Sequence, residues 1–387
     1  MPLQNPLFCV VIYAVAFFTA YLIQLRYKPQ SASVRYETID GLRGFLALGV
    51  FIHHSVIWHQ YLHTDIWIEP SSNLFNHLGK TSVSFFFMIT SFLFVNKLIE
   101  SKKIGFNWKG FLISRIFRLF PVYYIALFTF FVLIFYRSNW QINVSTLELA
   151  QQLKHWLLFT IKATPEINNV QNTYISNAGV IWSLPYEWLF YFSLPILSLI
   201  FIKKKPPVVV LIISIAFIYY YLWKRVSIEQ DIFFYSFIGG AIASLLKSYS
   251  KIREIISKKY ISVLIIICIA SIILFIDSTT NYISIVISSV VFICIALGNS
   301  VFGLLKLPYI KLLGDVSYST YLIHGIILFV VMNIGLGYTT VSSFTTIEYS
   351  ILIILVTPII VIVSYLFYRF VELPFIKIGK KLSNKNK

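Results

Sequence analysis

Residues 40–62 read Asp-Gly-Leu-Arg-Gly-Phe-Leu-Ala-Leu-Gly-Val-Phe-Ile-His-His-Ser-Val-Ile-Trp-His-Gln-Tyr-Leu, an apolar run long enough to cross a membrane with His53 and His54 in its interior. An ionisable group inside such a helix is costly to bury in lipid and marks a functional site by default. On a helix, the eleven steps from Arg43 to His54 return to within roughly 20° of the same face and climb about 16 Å. The arginine therefore sits where the helix enters the membrane, and the histidine near its middle.

The rest of the chain agrees with this reading. Its 387 residues are 58% hydrophobic and 18% aromatic, with a mean hydropathy of +0.79, far from the composition of a soluble domain. Apolar runs fall at about 6–25, 44–62, 79–98, 119–136, 179–202, 208–223, 231–246, 260–277, 281–298, 317–337 and 348–371. The expected fold class is an all-α integral membrane protein, a polytopic bundle of about 10–11 transmembrane helices. The formal charge of +17 raises nucleic acid as a partner, but the placement of the basic residues excludes it. With the N-terminus outside and alternating spans, only Lys80, Arg137, Lys154, Lys162, Lys224 and Arg225 of the 32 basic residues lie outside. That asymmetry follows the positive-inside rule and puts the C-terminus in the cytosol.

Residues 1–35 read as an additional N-terminal transmembrane helix and cytosolic linker, with no basic n-region to mark a cleaved signal. A membrane domain follows over 36–378, then a basic cytosolic tail over 379–387. The longest external connection, 137–178, carries a short amphipathic helix at Leu147 to Ile161, enough for a cap over the membrane domain. Lys203-Lys204-Lys205-Pro206-Pro207 reads as a tight cytosolic turn. No internal repeat appears, which argues against inverted-repeat transporters.

Several polar groups compete for chemical roles. Asp40 is placed to cap the helix that follows, while Gly41 and Gly44 permit close backbone approach. Arg115 and Arg118, three apart at the cytosolic start of a span, project from one face; they hold lipid headgroups or, with Arg43, clamp a polyphosphate. His53 points about 100° away from His54 and reads as a packing or supporting group. His59 and His63 have i,i+4 metal-ligand spacing without a third ligand, and the expectation is no metal. In Trp182-Ser183-Leu184-Pro185-Tyr186-Glu187-Trp188, Pro185 opens the helix and Glu187 falls at the depth of His54; a carboxylate there would support an acid-base histidine. Trp182 and Tyr186 are interfacial anchors or sugar-stacking groups. Thr90 and Ser91 are small helix-contact residues or line the same cavity. Ser317, Tyr318, Tyr321 and His324 form an inward stripe, and Glu372 with Pro374 ends the last span. Cys9, Cys268 and Cys294 read as core thiols. Asn143-Val144-Ser145 matches a glycosylation acceptor, a pattern common by chance.

Taken in order, these segments resemble membrane-bound acyltransferase family 3, whose bacterial members acylate hydroxyls of cell-surface polysaccharides and other acceptors. Asp40 to Gly44 with His54 is similar to the family's entry motif, and Arg115 and Arg118 before Pro121 to its paired arginines. Trp182 to Glu187, Tyr318 to His324, and Glu372 with Pro374 resemble its later motifs. Thr90-Ser91 stands where the family usually has a serine-glycine pair, and the helix at 6–25 is an addition to its ten spans. The resemblance implies an O-acyltransferase in the bacterial cytoplasmic membrane, with acetyl-CoA or another acyl-CoA as co-substrate and no permanently bound cofactor. It implies a carbohydrate or lipid-linked acceptor, with membrane lipids as further partners. Arg43, Arg115 and Arg118 would meet the donor's phosphates. His54 would act as general base or acyl carrier and Glu187 would orient it, with Asp40, Ser91, Trp182, Tyr318, His324 and Glu372 in support. A transporter or flippase of an anionic or lipid-linked sugar, and a non-catalytic lipid- or donor-binding subunit, are the competing classes.

Overall fold

The computed structural model describes residues 3, 5–26, 36–103, 105–202, 205–224, 231–277 and 281–384. Linker residues 27–35, Lys203-Lys204 of the basic turn, Arg225 and the tail beyond 384 lie outside the described residues. The described residues are predominantly helical: α1 (Pro6–Arg26), α2 (Glu37–Thr64), α3 (Asn73–Asn76), α4 (Ser82–Glu100), α5 (Trp108–Arg137), α6 (Thr146–Leu157), α7 (Leu184–Phe201), α8 (Val208–Lys224) and α9 (Phe234–Leu246) come first. Then follow α10 (Ser250–Ile256), α11 (Lys259–Phe275), α12 (Tyr282–Ala296), α13 (Pro308–Asp315), α14 (Ser317–Phe329), α15 (Tyr338–Ser342), α16 (Thr346–Phe367) and α17 (Leu373–Asn384).

Among the described residues, seven helical segments are long and apolar enough to span a membrane. The α10–α11 pair, bent by 71°, counts as an eighth, and α8, α9 and α12 are shorter apolar helices. Each of the eleven apolar runs of the sequence is thus helical, and the protein is a multi-pass membrane protein. Contacts divide the chain into two units. Unit 1 holds residues 1–96, 228–321 and 330–365; unit 2 holds 97–227, 322–329 and 366–387.

Within unit 1, α2 is the buried axis. Its start is tied down where Thr38 Oγ1 donates to the Ile295 carbonyl at 2.8 Å and Lys247 Nζ donates to Tyr36 Oη at 2.6 Å. Glycine then allows the 3₁₀ turn Leu304–Lys306 and α13 to lie against it: a Cβ on Gly41 would stand 2.1 Å from the Leu305 carbonyl oxygen, and one on Gly314 1.8 Å from that of Asp40. Asp40 itself is not the cap. The helix begins at Glu37, after Tyr36, so Asp40 occupies its first turn, where a carboxylate still favours the positive helix end.

Two further boundaries differ from the sequence reading. Pro185 does not break a helix: Val180–Ser183 is a 3₁₀ turn, and α7 starts at Leu184 with the proline in its first turn, where no N–H is needed. Glu372 and Pro374 do not end the last span either. The chain passes through a π-helical segment, Tyr368–Glu372, and continues as α17. A widened turn accommodates the missing proline N–H without stopping the helix.

Candidate active site

His53, His54, His59 and His63 sit on an unbroken α2, so the predicted register from Arg43 to His54 is realised, with a rise of about 16 Å. His54 Nδ1 lies 3.1 Å from the Val50 carbonyl, one turn back. A carbonyl only accepts, so Nδ1 carries the proton and Nε2 is the basic nitrogen. His53, buried, donates Nδ1 to the Phe75 carbonyl at 2.8 Å, and its ring meets that of His54 edge-on at 5.1 Å. The π-helical segment His77–Thr81 makes room for it: a Cβ on Gly79 would come within 2.5 Å of the His53 ring.

Trp67, in the segment after α2, lies 6.5 Å from His54 between ring centroids with planes 25° apart. It is held edge-on by Trp58 at 5.4 Å and Tyr61 at 5.7 Å. Around this roof, Tyr338 donates to Asp65, and Lys80 pairs with Glu69. Burial and donation to Asp65 push the Tyr338 phenol above its usual range, so it stays protonated. Sequence reasoning passed over Trp67. Its signal was an aromatic between two acidic residues, Asp65 and Glu69, in the first loop after His54.

Other candidates of unit 1 are more structural. Ser91 is fully buried where α9 crosses α4, and a Cβ on Gly240 would meet the Ser91 side chain at 2.8 Å. Tyr318 is partly buried in the first turn of α14, and Tyr321 packs edge-on against Phe86 at 6.1 Å. His63 Nδ1 donates to the His59 carbonyl at 2.7 Å, and among the described residues no three potential metal ligands gather.

Unit 2 gathers charged groups. Because Asn107 caps α5, accepting from Gly110 N at 2.8 Å, the helix starts well before the apolar run. Arg115 and Arg118 therefore lie two to three turns inside it rather than at its start. Arg118 Nη2 is 4.0 Å from Oε1 of the fully buried Glu372. Tyr191 Oη donates to Glu187 Oε2 at 3.0 Å and also hydrogen-bonds Arg115. Tyr191 was not singled out from sequence, although it stands one helical turn after Glu187, where such side chains meet. Trp182 packs edge-on against Tyr186 at 5.8 Å. His324 is fully buried on α14, whose Gly325 packs against the Asn177 carbonyl.

The connection 137–178 is folded. Its helix α6 is capped by Ser145, which accepts from Glu148 N at 3.2 Å. The buried Asn168 amide donates to Ser138 Oγ and the Gln141 carbonyl at 3.0 and 2.7 Å, and Arg137 donates to the carbonyls of Gln171 and Asn172 and to Ser176 Oγ.

An all-helical membrane protein with a histidine of fixed tautomer and an arginine–tyrosine–carboxylate network fits a membrane transferase. The family model described as acyltransferase domain matches residues 36–369, and the chain belongs to that family, acyltransferase family 3. It is accordingly an acyl-transferring membrane enzyme. No curated protein and no solved structure matches the chain.

Proposed function

We propose that this protein moves an acetyl group from acetyl-CoA to a hydroxyl of a cell-surface polysaccharide or its lipid-linked precursor. The observation that carries the reading is the His54 tautomer. With Nδ1–H committed to the Val50 carbonyl, Nε2 is the nitrogen that can take a proton from an acceptor hydroxyl or carry an acyl group. Arg43 on α2, and Arg115 and Arg118 on α5, are the proposed partners of the donor's phosphates, and Glu187, held by Tyr191, the proposed proton relay. The aromatic roof of Trp67 and Tyr61 supports a carbohydrate acceptor, because sugar rings stack on such faces.

The test is free-thiol release from acetyl-CoA by purified protein in lipid nanodiscs, with envelope glycan as acceptor. His54→Ala is expected to lower release by about 10²–10⁴-fold, the worth of a general base, while acetyl-CoA binding persists. Undiminished release in the variant would refute the role of His54. No release from wild type with any common acyl-CoA would refute the donor.

A further inference from the structure

A cavity among the described residues lies wholly within unit 1 and is not part of the site described above. It measures about 290 Å³ and runs between α1, α2, α4, α11 and α12. Three of its few polar side chains, Tyr13, His77 and Thr81, are already committed. Tyr13 Oη donates to the Phe45 carbonyl at 3.0 Å, His77 Nε2 donates to the Ile276 carbonyl at 2.9 Å, and His77 Nδ1 accepts from Thr81 Oγ1 at 2.8 Å. Water needs several polar partners to stay in such a space, whereas a dry apolar cavity of about 150 Å³ already takes a benzene ring. The occupant is therefore hydrocarbon.

Length and charge narrow it further. From Leu74 to Phe85 the lining climbs about 16 Å, roughly half of a ~30 Å hydrocarbon core and so one leaflet. One flank is exposed through Ile269 and Leu304, which gives a chain in the bilayer a way in. At the end where α2 begins, Leu304 and Leu305 lead directly to the exposed Lys306. Arg26 closes α1 at that same end, since Tyr21, five residues earlier, packs against Tyr309. These two cations stand where the headgroup of a lipid in the cleft would lie. We propose that the cleft binds one acyl chain of an anionic phospholipid, with α1 as one wall and Lys306 and Arg26 at the headgroup. This gives a task to α1, which lies outside the residues matched by the family.

The experiment uses the full chain in phosphatidylcholine nanodiscs doped with phosphatidylglycerol bearing a diazirine on one acyl chain. Adducts are expected on Phe45–Leu46 and on residues 265–273. Ile269→Trp and Leu304→Trp, at the exposed flank and checked for monodisperse elution, should each reduce these adducts by about tenfold. Labelling of the exposed Ile351 and Leu355 face of α16 serves as control and should not change. Lys306→Glu and Arg26→Glu should each lower labelling by phosphatidylglycerol, but not by an equivalent phosphatidylcholine probe, by about fivefold. Equal labelling of cleft and control faces, or cleft adducts insensitive to both tryptophans, would overturn the site. Equal labelling by the two lipids would overturn the anionic headgroup. Clearance of the label by substoichiometric polyprenyl phosphate would overturn the assignment to phospholipid.

Discussion

The histidine pair of unit 1 and the arginine–carboxylate network of unit 2 are held by opposite means. In unit 1, His53 and His54 are oriented by backbone carbonyls, those of Phe75 and Val50. In unit 2, Arg115, Glu187, Arg118 and Glu372 are oriented by one another and by the hydroxyl of Tyr191. A carbonyl partner survives any change of the side chain that bears it; a side-chain partner is lost with one substitution. The histidine pair is therefore robust in orientation but sensitive to crowding, while the network of unit 2 is the more easily lost by a single substitution.

The sharpest break of this contrast is Tyr191→Phe against Val50→Ala. Removing the Tyr191 hydroxyl takes a bond from two charged groups, each worth about 1.5–3 kcal/mol, so acyl transfer is expected to fall about tenfold or more. Val50→Ala keeps the carbonyl, and activity per folded molecule should stay at the wild-type level. Equal losses in a thiol-release assay would erase the distinction. Next in size, Gly79→Ala drives a Cβ into the His53 ring and should cost about 1–3 kcal/mol of stability, as overpacking does. Thermal unfolding reads this directly, and His53→Ala in the same chain should recover part of it through non-additivity. An additive double variant would show that the two groups do not press on each other. The smallest effect belongs to Tyr338→Phe, which removes a donor to Asp65 at the protein's surface and should cost about 1 kcal/mol or less. A larger drop in the unfolding midpoint would make the loop carrying Trp67 a structural keystone rather than a local cover.

Much of the fold was legible because hydropathy alone selects helices of membrane length, and all eleven runs are helical. Boundaries were legible only where chemistry marks them. Lys109, Arg115 and Arg118 interrupt the apolar side chains of residues 108–118, so an apolar threshold discards them, and the early start of α5 shows only in its Asn107 cap. The 71° bend between α10 and α11 left no proline or glycine to betray it. Spacing along one helix placed Arg43 and His54 on one face of α2. It did not reveal Trp67 or Tyr191, because their relevance depends on which ring or carboxylate they touch.

The way α17 meets α5 bears on how the protein is made. Asn107 Nδ2 reaches the Ser383 carbonyl at 3.4 Å across 276 residues of sequence, and a Cβ on Gly379 would stand 2.7 Å from Phe117 Cβ. With Glu372 beside Arg118, the arginine-bearing face of α5 acquires these partners only after the final helix has left the ribosome. Until then the Arg118 guanidinium must be tolerated without Glu372 on a helix already delivered to the membrane. Insertion of α5 alone therefore does not close unit 2, and a nascent chain stalled short of residue 372 would be a natural target for membrane quality control.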